Sequence, residues 1–209
     1  MVTDVFNLYT QEYEDWFEKN KFAYLSEVET LRKAIPKGSG LEIGVGTGRF
    51  AQPLGVDTGV DPSENMLEIA RSRGIKTLVG NGEDLPFKDD EYDFVLIAFT
   101  ICFVDDPIPV LKEAKRVLKR GGRIIIGIID RDSDLGRSYE IKKAKSKFYS
   151  NARFYTAGEI IEMLENLNFK DIGTYQTLFE FPGNLNKIDC IKEGYGKGGF
   201  VVIYGCNVK

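Results

Sequence analysis

Apolar residues follow two different periods along this chain of 209 residues. Over residues 3–35 the spacing is helical: Tyr9, Tyr13, Trp16 and Phe17 recur three or four apart, as do Leu25, Val28 and Leu31. After the turn PKGSG, short apolar runs alternate with amphipathic segments. Strands are predicted near 40–45, 56–61, 76–80, 92–99 and 123–130. Between them fall a short helix at about 47–53, limited by Pro53 and Gly55, and a helix over 62–74 that Gly74 can end. A third helix starts at Asp106, a candidate N-cap, with Pro107 in its first turn and Gly121-Gly122 as its stop. The fourth run, YDFVLIAF, is apolar almost throughout, so its strand should be central and covered on both faces. Thr156-Ala157-Gly158-Glu159 has the form of a capping box, and two late strands are predicted at 170–178 and 200–206.

Strand and helix alternate over 40–130, which implies a parallel sheet with helices on both faces and right-handed crossovers. Ligands of such sheets bind beyond the carboxyl ends of the strands, where the strand order reverses. Gly44–Gly48, Asp61, Asn81–Glu83 and Phe99–Phe103 each follow a strand end, so four separate segments should line one crevice.

Composition narrows the chemistry. The length suits one domain with a real core, and 43% hydrophobic with 29% charged residues is ordinary for a globular protein. A net charge of −4 without a long block of like charge gives no bulk attraction to nucleic acid or to a membrane surface. No apolar run reaches the roughly 18 residues of a membrane span, and the acidic, aromatic start does not resemble a signal peptide. Cys102, Cys190 and Cys206 lie far apart and cannot all pair, so a reducing cytoplasm without structural disulfides or bound metal is expected. Histidine is absent, which excludes a Ser-His-Asp hydrolase, a His-ligated metal site and a His base.

LEIGVGTGRF (41–50) carries the strongest motif. A phosphate loop needs Gly five residues after Gly44 and then Lys-Ser/Thr, but Arg49 stands there. The dinucleotide pattern wants its third glycine at that same place, so Arg49 also weakens a nicotinamide reading. Glu42 just before the glycines sits badly beside a pyrophosphate and well beside a cation. Asp61, at the end of the second strand, can accept hydrogen bonds from a ribose diol, leaving Ser63 to cap the next helix. Met66 in that helix's first turn could cover an aromatic base or be plain core.

LEIGVGTGRF, GVDPSENML, GNGEDLPF and LKRGG, taken together and in order, resemble the class I S-adenosylmethionine-dependent methyltransferases, in particular the type 11 group related to quinone-biosynthesis methyltransferases. The resemblance is strong over about 36–130. It implies a Rossmann-like α/β fold: a mostly parallel seven-stranded sheet with the last strand pair antiparallel, helices on both faces and an N-terminal helical cap. It also implies S-adenosylmethionine as cofactor and S-adenosylhomocysteine as product. Glu42 and the backbone of Gly44 and Gly46 would hold the methionine part, Asp61 the ribose, and Asn81, Gly82 and Glu83 the adenine, with Met66 against the ring. Ala98 and Phe99 would meet the amino-acid end. Relatives usually have Asp at the position of Asn81, and many carry histidines where Cys102 and Phe103 stand.

Methyl transfer from a sulfonium is an in-line displacement with an activated leaving group, so placement can account for roughly 7–11 kcal/mol of the barrier. An amine acceptor needs only desolvation and alignment; a hydroxyl or carbon acid needs a base, for which Asp105, Asp106, Tyr9, Tyr13 and Tyr149 are candidates. Asp106 is better explained as a helix cap and Cys102 as a small wall residue.

One domain over 1–209 is expected, made of a helical cap (1–35), a cofactor-binding core (36–130), a lid that meets substrate (131–158) and a C-terminal helix and strands (159–209). Aromatic clusters in the cap (Tyr9, Tyr13, Trp16, Phe17) and in the lid (Phe148, Tyr149, Phe154, Tyr155) flank the core and suggest a closed pocket for a small molecule. Residues 137–153 hold Arg137, Lys142, Lys143, Lys145, Lys147 and Arg153 against Glu140, either a solvated face or an attraction for an anionic acceptor. The expected partner is a small methyl acceptor, anionic or aromatic, with neither membrane nor nucleic acid. The alternatives are an RNA or protein methyltransferase, a module that only binds the cofactor, and a nicotinamide oxidoreductase.

Overall fold

A computed structural model describes residues 2–209. The predicted N-terminal helix is three helices, α1 (Val2–Leu8), α2 (Thr10–Lys19) and α3 (Lys21–Ala34). The chain kinks at Tyr9 and at Asn20, whose side-chain amide donates back to Trp16 O at 3.0 Å. Then follow β1 (Gly40–Ile43), α4 (Ala51–Leu54), β2 (Thr58–Asp61), α5 (Glu64–Ser72), β3 (Lys76–Val79), β4 (Tyr92–Ala98), α6 (Pro107–Val117), β5 (Leu118–Ile129), α7 (Asp134–Lys142), α8 (Ala157–Asn166), β6 (Phe169–Thr177), β7 (Lys192–Glu193) and β8 (Phe200–Asn207).

The sheet order is β3-β2-β1-β4-β5-β8-β6-β7. The first five strands are parallel, and β8 runs antiparallel between β5 and β6. One strand more than the expected seven is present: β7, a two-residue exposed pairing at the edge of β6, too short and too polar to leave an apolar pattern. Along β4, Phe94, Leu96 and Ala98 enter one apolar layer and Val95 and Ile97 the other, as the unbroken run in the sequence predicts. Asp106 caps α6 by accepting from Ile108 N at 2.9 Å, and Thr156 and Glu159 form the capping box of α8. α6 stops at Val117 and not at the double glycine. Leu118 is captured by pairing with Tyr92, and the chain bulges through Gly121, at φ 78°, before pairing resumes at Arg123. No helix among the described residues is long and apolar enough to cross a membrane.

The cap is tied to the core by one buried carboxylate. Glu14 Oε2, on α2, accepts from Arg49 Nε at 3.0 Å and Nη2 at 2.7 Å, and from Arg73 Nη2 at 2.5 Å. Arg73, at the end of α5, also donates to Thr47 O in the glycine turn at 2.6 Å. The Arg49 guanidinium lies over the rings of Phe17 and Tyr24, and Tyr24 Oη donates to Arg49 O at 2.6 Å. α2, α3, the turn and α5 are thus joined through two guanidinium groups. Loss of the third dinucleotide glycine is the gain of this anchor.

Burial alone would raise the Glu14 carboxyl, but hydrogen bonds from Arg73 and Arg49 outweigh it and hold it at about 2, from an ordinary 4.5. A shift of that size corresponds to about 3 kcal/mol of stability. Since the folded value is the lower one, the contribution is complete above about pH 4.5 and fades as pH falls through about 2. Glu14→Gln should therefore lower the unfolding free energy by about 3 kcal/mol at pH 7, and urea titrations should show the gap between variant and wild type closing toward pH 2.

Candidate active site

Strand order reverses between β1 and β4, and there the carboxyl ends of the strands open into a cavity of about 960 Å³. Its size is at the upper end for small-molecule sites, with room for two ligands side by side. β1 runs into the cavity as a turn with Gly44, Gly46 and Gly48 all at positive φ. A Cβ on Gly44 would lie 2.2 Å from Thr100 Oγ1, so only glycine lets the exits of β1 and β4 cross. The turn's own amides are already engaged: Gly44 N donates to Val60 O at 2.7 Å and Gly46 N to Asp61 Oδ2 at 2.9 Å. Both positions expected to meet the methionine part through their backbone are at the cavity, with these two amides already engaged within the fold. What the turn offers the cavity is bare backbone.

Asp61 receives a second amide, Ser63 N, on Oδ1 at 2.8 Å, which fixes its carboxylate at the end of β2 with lone pairs left on both oxygens. Burial raises its pKa, against those two hydrogen bonds. Ser63 caps α5 as expected, and its hydroxyl donates to Asn7 Oδ1 on α1 at 2.7 Å, which docks the cap beside the site. Met66, Asn81, Gly82, Glu83, Ala98 and Phe99 all line the cavity. With Gly44, Gly46 and Asp61, nine of the ten positions expected to meet the cofactor line this one cavity. Glu42 does not. It is 1% exposed behind the turn, with Oε2 unpartnered, and burial followed by the Asp61 charge pushes it well above the usual carboxylate range.

Of the candidate bases, Tyr13, Tyr149 and Asp105 reach the cavity. Tyr9 does not; it is half-buried under Lys147, whose ammonium sits 4.4 Å from the ring centre. Burial pushes both the Tyr13 and the Tyr149 phenols up, helped by Glu42 at Tyr13 and by Tyr139 at Tyr149. Both are hydrogen-bond donors at neutral pH and not bases. Burial pushes the Cys102 thiol up to about 12, and it donates to Phe99 O at 3.3 Å; it lies behind the wall and not on it, so the expected wall role is not met at this cavity. Phe99 and Leu178, both on the wall, hold left-handed φ angles of 57° and 59°, a strained conformation for bulky side chains that is concentrated at functional sites.

Glu27 is a wall residue that no motif in the sequence marks. It lines the cavity from α3, is 2% exposed and has an unpartnered Oε2. A weaker signal is present: it stands three residues after Tyr24 and four before Leu31, on the apolar stripe of the helix.

Six acidic side chains and one basic, Lys19, line the cavity. The basic side chains of 137–153 do not. Arg137 pairs with Asp134, Lys143 with Glu140 and Lys147 with Glu12, while Arg153 stacks on Tyr155. Such a donor set repels phosphates and fits a ligand with net positive charge, as a sulfonium with an amino-acid end carries. The orphaned carboxyl of Glu42 under the turn and the anchored carboxylate of Asp61 agree with that class of ligand and disagree with a dinucleotide.

Comparison with known proteins agrees. A methyltransferase domain model matches residues 41–126. A crystal structure from Thermotoga maritima, described as a SAM-dependent methyltransferase, possible histamine N-methyltransferase, is 51% identical, with a TM-score of 0.97 over 99% of this chain and 100% of that one. An uncharacterised protein of Methanocaldococcus jannaschii is 56% identical over 200 residues, 96% of this chain and 97% of its own. Demethylmenaquinone methyltransferase of Staphylococcus aureus is 33% identical over 125 residues, 51% of this chain and 52% of its own.

The crossing of the two strand exits can be measured. Gly55 shares the left-handed backbone of Gly44 without its crowding, since a Cβ there would meet nothing within 4 Å. Gly55→Ala should cost only the strain of that conformation, about 1–2 kcal/mol. Gly44→Ala should cost at least about 2 kcal/mol more through overpacking, read as the difference in urea unfolding.

Proposed function

We propose that this chain, which belongs to the S-adenosylmethionine-dependent methyltransferases, transfers a methyl group to a small molecule held in the cavity under its helical cap. The observation that carries this reading is a single cavity, acidic and ringed by aromatic side chains, with volume for donor and acceptor together. S-Adenosylmethionine, when bound, supplies a methyl on a sulfonium that carries its own leaving group. Asp61 would take the ribose hydroxyls, Met66, Asn81, Gly82 and Glu83 would surround the adenine, and Gly44, Gly46, Ala98 and Phe99 would lie along the amino-acid end. Glu42 would act from behind the turn as a buried carboxyl and not as a direct ligand.

The protein's part in the reaction is then placement and exclusion of water. Phe6, Tyr13, Phe103, Phe148 and Tyr149 bring rings from cap, core and lid to one side of the cavity. Phe103 stacks on Tyr149 at 5.7 Å between centroids, and Phe6 meets Phe103 edge-on at 5.2 Å. The wall's charge favours a basic or neutral acceptor over an anionic one, and the description of the Thermotoga maritima relative is in keeping with a basic one. The ring-lined, partly open cavity suits a small molecule better than RNA or a protein side chain. Three free cysteines suit a reducing compartment, and the cytoplasm is the compartment we expect.

Calorimetric titration tests the donor. S-Adenosylmethionine and S-adenosylhomocysteine should both bind, and Asp61→Ala should weaken both by about 10- to 100-fold, the worth of hydrogen bonds to a charged group. A folded protein that gives no heat with either ligand refutes the reading.

A further inference from the structure

Two buried carboxyl oxygens near the cavity lack a partner, those of Glu42 and Glu27, and only Glu27 is on the wall itself. An unsatisfied buried polar group costs roughly 1–3 kcal/mol, and a carboxylate more, so such a group is retained where something else satisfies it. Among the described residues no side chain hydrogen-bonds Glu27 Oε2. Glu27 reaches the cavity from α3 of the cap and Tyr13 and Phe17 from α2, and they share the wall with Tyr139 and Tyr149. The donor-side residues, Asp61, Met66 and Asn81–Glu83, come from the other elements that meet there, β2, α5 and the loop after β3.

We infer that Glu27 is the acceptor-binding carboxyl of this enzyme and that the acceptor is a small amine on an apolar, ring-bearing body, its nitrogen held by Glu27 and its body by the tyrosines of cap and lid. The inference rests on the methyl-transfer reading above and names its substrate class. A protonated amine supplies the positive charge and the N–H donor that Glu27 lacks, and rings at the same wall add cation–π attraction. A carboxylate or phosphate acceptor would meet a predominantly acidic wall and bring no N–H donor to it.

The protons balance without histidine. The ammonium gives one proton to the ionised Glu27. The freed lone pair forms the N–C bond as the C–S bond breaks, and that electron pair stays on sulfur, which leaves as a neutral thioether. The methylated ammonium departs, and Glu27 returns its proton to water. Burial pushes Glu27 well above the usual carboxylate range, the right direction for a group that must take a proton from an amine. The groups facing it do not compete. Tyr13 from α2, Tyr24 from its own helix, Tyr139 from α7 and Tyr149 beyond it are all raised by burial, and Glu14 is tied to Arg49 and Arg73.

Calorimetry on the full chain tests this with three probes of one shape: 2-phenylethylamine, 2-phenylethanol and 3-phenylpropionate, each titrated with and without S-adenosylhomocysteine. The amine should bind at least 10-fold tighter than the other two, and incubation with S-adenosylmethionine should yield its N-methyl product by mass spectrometry. Glu27→Gln should erase the preference for the amine and lower its kcat/KM at least 100-fold, while S-adenosylhomocysteine affinity stays within about 2-fold. Equal binding of amine and alcohol to the wild type, or methyl transfer confined to alcohol or carboxylate probes, overturns the inference; both are read without the variant. Failure of the methyl-transfer reading would show instead as absent S-adenosylhomocysteine binding.

Discussion

The contact between Glu14 and the paired guanidinium groups of Arg49 and Arg73 is the constraint on which the site depends. Ala23, Val28, Leu31 and Ala34 of α3 belong to one apolar layer of the sheet, but a sheet leaves the carboxyl ends of its strands open to water. Closing them requires the N-terminal helices to lie over the glycine turn. An apolar contact alone would leave the cap free to slide. A carboxylate with 11% of its side chain exposed, gripped from two directions by residues of the turn and of α5, fixes its position. Removing one partner of such a set leaves an uncompensated buried charge, which is why the linkage is strong in one direction only.

With the cap in place, burial and charge divide the cavity. One side is built from strand ends and has an anchored carboxylate, Asp61, bare backbone at Gly44 and Gly46, and a second carboxyl, Glu42, beneath. The cap helices and residues 131–158 also reach the wall, Glu27 from the first and Tyr139 and Tyr149 from the second. Six of the seven charged side chains on the wall are acidic, which favours cationic or neutral occupants over anionic ones. Histidine is absent, and two carboxyls on the cavity wall are raised by burial: Asp61, which two backbone amides hold, and Glu27, whose Oε2 has no partner.

Much of this is legible in the sequence. Period and punctuation give the order of strands and helices, the central place of YDFVLIA, the caps at Asp106 and Thr156, and the gathering of segments at the strand ends. What is not legible depends on contacts across the fold. Glycine spacing in LEIGVGTGRF points to a ligand turn, yet cannot say that the amide of Gly46 is already given to Asp61. The helical period of residues 3–35 cannot show the kinks at Tyr9 and Asn20, because apolar spacing survives them. β7 is two exposed residues with no pattern to read. In the sequence Arg49 speaks only through what it excludes, and its ion pair with a residue 35 positions away waits on the fold. Glu27 is legible as a charge on an apolar stripe, but only the shape of the cavity distinguishes it from the buried edge of a surface helix.

A crystal structure of the protein with S-adenosylhomocysteine bound tests the central claim most directly, that the cavity under the cap holds donor and acceptor on opposite sides. The account predicts the ribose hydroxyls on Asp61, the adenine against Met66 and Gly82, the sulfur open toward the chamber that Glu27 and Tyr149 share, and the cap still held by Glu14. A ligand bound outside this cavity, or lying in it with the ribose away from Asp61 and the sulfur turned from Glu27, would contradict it.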